Sequence, residues 1–226
     1  MHNPFASEPS AAPHAMVKQT MPTLQEQFGQ IDIYLFDQIL KGRIAPGMRI
    51  LDAGCGSGRN LVYLLREGYD VYAADTNPEE VETVRNMARS LAASLPASNF
   101  RVEPVEQMSF PDAFADVVIS NTVLHFARDD AHFAAMLRGT FRALKPGGIF
   151  FSRLGSSIGM EHRVEPLEGR RCKSPDGSIR YLVDEALLLA YTERMGQLAD
   201  PIKTTIVQDQ RAMTTWVVRK AEHSML

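Results

Sequence analysis

The chain has 226 residues, 45% of them hydrophobic and 23% charged, and a net charge of −3, which suits one α/β domain with a sizeable core. A balance this close to neutral, with no clustered basic face, excludes a nucleic-acid footprint and favours small-molecule chemistry, and no apolar run reaches the roughly 20 residues of a membrane span. Two cysteines, Cys55 and Cys172, make neither a disulfide scaffold nor a zinc cluster, and the histidines show no ligand spacing, so a reducing, cytoplasmic location without a metal site is expected.

Residues 1–20, opening MHNPFASEPSAAPHAM, are rich in Pro, Ala and Ser and lack the basic start and apolar middle of a signal peptide, which predicts a flexible N-terminal arm. A single domain is expected over residues 21–226. FGQIDIYLFDQILKGRI places Ile31, Leu35 and Ile39 at four-residue steps, the pattern of an amphipathic helix that either covers a pocket as a lid or simply packs. From Met48 strands and helices alternate: strand MRILD, helix LVYLLREG, strand DVYAAD, and a helix from Asn77 to about Ala93 with Pro78 at its first position and Glu79 and Glu80 in its first turn. Strands FRVEPV, ADVVIS and GGIFFS follow, the last two separated by a helix from about Asp129 to Leu144 and a turn at Lys145 to Gly148. After Ser152 a charged loop is expected to about Arg180, then the helix VDEALLLAYTERMG and two strands, IKTTIVQ and AMTTWVVRK, close enough to pair. These elements predict a doubly wound, Rossmann-like α/β fold, with a seven-stranded, mostly parallel sheet and an antiparallel C-terminal edge hairpin.

The stretch ILDAGCGSGRN, Ile50 to Asn60, leaves a strand through a glycine loop, the place where α/β folds bind nucleotides. A dinucleotide fingerprint needs a third glycine where Arg59 stands, and no Lys-Ser or Lys-Thr follows to make a phosphate loop. Asp52 lies two residues before Gly54 and would repel a pyrophosphate while attracting a cation. The predicted ligand is a nucleoside that carries a positive group.

LDAGCGSG, the acid Asp75 ending the second strand, VEQMSFPDAFADVVISNTVLHF and LKPGG resemble the successive motifs of class I S-adenosylmethionine-dependent methyltransferases, over about Arg49 to Phe151. Within that superfamily GRNLVYLLREGYDVYAADTNPEEV is similar to the tellurite-resistance methyltransferase group. The resemblance implies S-adenosyl-L-methionine as cofactor. Gly54, Cys55 and Gly56 would offer backbone to its methionine portion, Asp52 would favour its cationic end while tying down the loop, and Asp75, 21 positions beyond Gly54, would accept both ribose hydroxyls. Thr76 and Asn77 would lie by one face of the adenine, although Asn77 also suits a helix cap. Where the family often has Gly-Asp-Ala-Glu, this chain has EPVE; Pro104 has no N–H to donate, so the adenine edge falls to the amide of Val105 and the side chains of Glu106 and Gln107.

Asn121 would stand near the methionine end. Arg59 and Asn60 are expected to open the next helix, with Arg59 either pairing with the methionine carboxylate or riding on a solvated face. His125 is the candidate general base, or else a packed histidine. Arg153, His162 and Arg163 belong to a modest basic excess where the methyl acceptor should enter, or to a charged loop. The resemblance thus implies in-line methyl transfer to a small molecule, among them a chalcogen oxyanion or a thiol, by a monomer or homodimer. A catalytically silent cofactor-binding or partner-binding domain stays open, as does, less favoured, a nicotinamide-dependent oxidoreductase.

Overall fold

The structure is a computed structural model that describes residues 22–222; the arm expected over residues 1–20 lies outside them. In chain order these residues form α1 (Leu24–Phe28), α2 (Ile33–Leu40), β1 (Arg49–Ala53), α3 (Val62–Arg66), β2 (Asp70–Asp75), α4 (Pro78–Leu91), β3 (Phe100–Val102) and β4 (Ala115–Asn121). Next come α5 (Asp130–Ala143), β5 (Leu144–Ser156), β6 (Glu165–Glu168), β7 (Arg171–Lys173), β8 (Ile179–Tyr181), α6 (Glu185–Met195), β9 (Gly196–Leu198), β10 (Lys203–Val207) and β11 (Arg211–Lys220). No helix among the described residues is long and apolar enough to cross a membrane.

Successive strand side chains point to opposite faces of a sheet, and the sequence uses this to fill two cores at once. Ile50, Val117, Phe151 and Val217 pack on one face with α2, α3 and α4, while their neighbours Leu51, Val118, Phe150 and Val218 pack on the other with α5 and α6. Strands buried on both faces must lie inside the sheet. The order is β10-β11-β5-β4-β1-β2-β3, with β9 also paired to β11; β3 through β5 run parallel and β9, β10 and β11 antiparallel. The expected Rossmann-like sheet with an antiparallel C-terminal end is therefore present, widened by the short β9. Strand order reverses between β1 and β4, which opens a crevice at their C-terminal ends.

Two stretches differ from expectation. The single N-terminal helix is two, because Asp32 caps α2 by accepting the Tyr34 N–H at 2.9 Å and starts a new helix there. The charged loop after Ser152 is not irregular: β5 runs on to Ser156, and β6, β7 and β8 form a small antiparallel sheet. Its strands are three or four residues long, and all four residues of β6 are exposed, so they carry no apolar alternation to read.

The cap at Asp32 also ties α2 to the sheet. Its buried carboxylate accepts from Arg153 of β5 at 2.8 Å, and its N–H donates to Asn60 at 3.0 Å. Burial alone would push this carboxyl up, but the Arg153 hydrogen bond and charge outweigh it and hold it below the usual range. Its contribution to stability is therefore complete above about pH 4 and lost as pH falls through the lowered value. Asp32→Ala leaves Arg153, 19% exposed, facing the interior unpaired. Urea unfolding at pH 7 should show a loss of about 3 kcal/mol; a loss below about 0.5 kcal/mol would place the pair among inert surface bridges.

Candidate active site

At the C-terminal end of β1 the chain turns through Gly54 and Gly56, both at positive φ (86° and 49°). The turn folds back on β2: the N–H groups of Gly54 and Cys55 both donate to the Ala74 carbonyl, at 2.8 and 3.0 Å, and the Gly56 N–H donates to Asp75 at 2.9 Å. Gly58 donates to the Cys55 carbonyl at 3.0 Å. With these amides occupied, Gly54, Cys55 and Gly56 offer no nest of free donors for a phosphate. Of the backbone expected to meet the methionine portion at Gly54, Cys55 and Gly56, the N–H groups are thus taken, and the Cys55 carbonyl accepts from Gly58. A side chain on Gly54 would strike Val123 at 2.4 Å, whereas one on Gly56 would meet nothing within 4 Å, so the space above Gly56 is open to a ligand. Burial holds the Cys55 thiol far above its ordinary pKa and keeps it inert.

Asp52 lies beneath this turn, 1% exposed, and neither carboxylate oxygen has a hydrogen-bond partner. It does not tie down the loop as expected. Burial pushes its carboxyl up to about 7, with the Arg59 charge opposing and the Asp75 charge adding. A buried carboxylate in this state is costly unless a cation or a proton joins it, and an ammonium is the complement it lacks. Asp75 is held from two sides, by the N–H of Gly56 and by that of Asn77 at 2.9 Å, which fixes its carboxylate at the wall of a cavity of about 480 Å³. These features fit a nucleoside with a cationic tail.

The same cavity is lined by Thr76, Val105 and Glu106, and is closed by His132 and Met136 of α5. The other residues singled out by sequence have different work. Asn77 caps α4 by accepting from Glu79 at 2.9 Å. Gln107 points its N–H to the Pro104 carbonyl at 3.0 Å within a turn and does not line the cavity. Asn60 holds Asp32, and α3 starts only at Val62, so neither Arg59 nor Asn60 opens the helix. Arg59 instead donates to Asn121 at 3.0 Å, leaving the buried Asn121 Nδ2 without a partner.

Sequence reasoning missed two residues here. His132 Nδ1 accepts the Arg128 N–H at 3.1 Å, which leaves the Nε2 hydrogen of the neutral ring to donate to Glu106 at 3.3 Å and orient it. Gly139, in the middle of α5, is the place where that helix meets the Val105–Gln107 turn: a Cβ there would lie 2.2 Å from the Val105 carbonyl oxygen. A glycine inside an otherwise periodic helix was the only signal in the sequence.

A second cavity, of about 380 Å³, shares Thr122 with the first. Thr122 follows β4 at φ 64°, a conformation costly for a threonine and characteristic of functional sites. Arg59, His125, Arg153, Arg180 and Arg211 reach this cavity. His125 is buried, and its Nδ1 accepts the Gly155 N–H at 3.0 Å. Burial, aided by the Arg180 charge, lowers its pKa to about 4. The ring is neutral at pH 7 with its hydrogen on Nε2, so it offers a donor where a general base was expected. His162 and Arg163 do not line the cavity; Arg163 pairs with Asp209 at 3.2 Å on the surface, both more than half exposed.

Residues 51–152 match the protein family described as a methyltransferase domain. A ubiquinone biosynthesis O-methyltransferase of Methylocella silvestris is 34% identical over 116 residues, 50% of this chain and 43% of that one; the chain spans about half the length of the curated relatives it matches. The fold is shared with the 1,6-didemethyltoxoflavin-N1-methyltransferase of Burkholderia thailandensis, solved with S-adenosylhomocysteine (TM-score 0.62, 19% identity, covering 85% of this chain and 80% of that one). It is shared equally with the cyclase SpnF (TM-score 0.63, 17% identity, covering 84% and 82%).

Two outcomes follow for the first cavity. Asp75→Ala should weaken S-adenosylhomocysteine binding about tenfold to a hundredfold, the worth of charge-assisted bonds; calorimetry showing unchanged affinity in the folded variant would remove Asp75 from the site. Gly139→Ala gains about 1 kcal/mol of helix propensity but must displace the Val105–Gln107 turn. It should lower both unfolding stability and cofactor affinity, and a more stable variant with parental affinity would show that the close approach has no consequence.

Proposed function

Taking residues 51–152 as a class I S-adenosylmethionine-dependent methyltransferase domain, we propose that this chain moves the cofactor's methyl group to a small acceptor held in the second cavity. The observation that carries this is the pair of cavities meeting at Thr122, one walled by the oriented Asp75 with the unpartnered Asp52 buried behind its glycine turn, the other open to receive a nucleophile. Asp75 takes the ribose hydroxyls, the Asp52 carboxylate and the loop carbonyls take the ammonium, and Val105, Glu106, His132 and Met136 surround the adenine. The bound cofactor supplies an activated methyl on a sulfonium.

The chain's own contribution is then positioning and exclusion of water. Thr122, at the junction, sets the approach between the two ligands. His125, neutral with Nε2–H, donates a hydrogen bond that orients an acceptor oxygen or sulfur and takes no proton from it, so a hydroxyl or thiol acceptor would lose its proton to solvent and react as the anion. The similar proteins include an O-methyltransferase and an N-methyltransferase, and the Nε2–H donor suits an oxygen, nitrogen or sulfur nucleophile alike. The motif shared with the tellurite-resistance group lends no weight to a chalcogen acceptor: Asn60 and Tyr69 are buried in structural positions, and Arg59 is held by Asn121. A nicotinamide dinucleotide would set its pyrophosphate against occupied amides and the Asp52 carboxylate. That the cyclase SpnF shares the fold makes labelled methyl transfer the deciding assay against a non-transferring domain.

Asp52 provides a second test. Its raised carboxyl is protonated below about pH 7, so that share of stability is complete at low pH and fades as pH rises through 7. A bound ammonium ionises it. Calorimetry at pH 6 in buffers of different ionisation enthalpy should show S-adenosylmethionine binding release a proton in the parent and not in Asp52→Asn, while NAD gives no binding heat. Equal proton release in parent and variant would separate Asp52 from the ammonium.

A further inference from the structure

We propose that the second cavity recognises an anion, and that the acceptor is a small organic molecule with an apolar body and one compact anionic oxygen group, a carboxylate or a phosphate. This rests on the methyl-transfer reading for the word acceptor, and on the cavity itself for the anion.

Four arginines from four separate segments converge on the cavity: Arg59 from the glycine loop, Arg153 from β5, Arg180 from β8 and Arg211 from β11. The carboxylates do not balance them. Asp32 takes Arg153 at 2.8 Å and lies 3.9 Å from Arg59, serving two guanidiniums with one charge. Asp176, which also lines the cavity, takes Ser178 on Oδ1 and faces Arg211 with Oδ2 at 3.6 Å, so two carboxylates stand against four guanidiniums. Arg180 hydrogen-bonds only the neighbouring Ile179 carbonyl, at 2.8 Å, and lies over the Phe126 ring at 4.8 Å. His125 beside it is neutral and neutralises nothing.

Like charges brought into one concave site repel unless something negative joins them, and such a site concentrates anions. A planar guanidinium matches carboxylate and phosphate oxygens in pairs. The buried Nε of Arg153 has no partner, a further donor left over at the cavity floor. Part of the wall is apolar, with Leu182, Val207, Ala212 and Met213, beside a polar edge of Ser174, Asp176 and Ser178, and the apolar part suits a hydrocarbon or aromatic body. The anionic group sits toward Arg180 and Arg211, and the nucleophile toward Thr122 and the His125 donor.

Fluorine NMR on protein saturated with S-adenosylhomocysteine tests the anion without requiring turnover. 4-Fluorobenzoate or 4-fluorophenylphosphonate should bind about tenfold tighter than 4-fluorobenzamide, and the better of the two identifies the group as carboxylate or phosphate. High salt should weaken the anions selectively. Arg180→Met and Arg211→Met, outside the cofactor cavity, should each weaken the preferred anion about threefold to tenfold without changing S-adenosylhomocysteine affinity. Amide binding as tight as both anions, in the parent protein, overturns the inference whatever the variants do. Labelled transfer to 4-hydroxybenzoate against 4-hydroxybenzamide, and to 3-mercaptopropionate against its amide, separates the two claims. Anion-selective binding without any transfer would sink methyl transfer alone, and equal transfer to charged and neutral members would sink the anion pocket alone.

Discussion

The site depends on how the glycine loop spends its amides. Two of them converge on the Ala74 carbonyl and a third on the Asp75 carboxylate, so the loop is stitched to the end of β2 before any ligand arrives. One consequence is chemical selection: with these three amides occupied, the start of the loop presents oxygen, and oxygen selects for cations and hydroxyls over phosphates. The other is geometric. Asp75 is both the loop's anchor and a wall of the first cavity, so under the proposed reading one carboxylate sets the ribose position and the loop position.

Asp52 fits the same logic from below. A buried carboxylate with no partner weakens the fold it sits in, and the sheet around it, β1 between β2 and β4, is too tightly packed for it to escape. Function and stability are in tension at this one residue. Around the rim the charges are distributed differently: Asp32 and Asp200 sit among arginines and lysines and are held below the ordinary carboxylate range, Asp200 at about 2. The chain compensates Asp32 and Asp200 and leaves the buried Asp52 beneath the glycine turn uncompensated.

Much of the frame was legible in the sequence because burial on two faces writes a dense apolar code into β1, β2, β4 and β5, and because Gly54, Gly56 and Asp75 carry local signals of turn and spacing. The rest was not legible for identifiable reasons. β6, β7 and β8 are short, polar and exposed, so pairing alone defines them. His132 and Gly139 meet the Val105–Gln107 turn across 26 or more positions of chain, a distance no local pattern records. His125 looked like a base because its intrinsic pKa suits one; burial and the Gly155 N–H, which come from β5, decide its protonation and tautomer. Arg153 and Arg180 belong to the basic stretch the sequence shows, whereas Arg211 reaches their cavity only once β11 is folded beside β5.

The central claim is that this cavity is built for a nucleoside with a cationic tail opposite Asp52. The most direct measurement compares the dissociation constants of S-adenosylhomocysteine and 5′-methylthioadenosine, which share the nucleoside and differ by the amino-acid tail. The parent should prefer S-adenosylhomocysteine by about a hundredfold, and Asp52→Asn should remove about tenfold of that preference, the scale of one charge-assisted interaction. Equal affinities for the two ligands in the parent, or an unchanged preference in the variant, would contradict it.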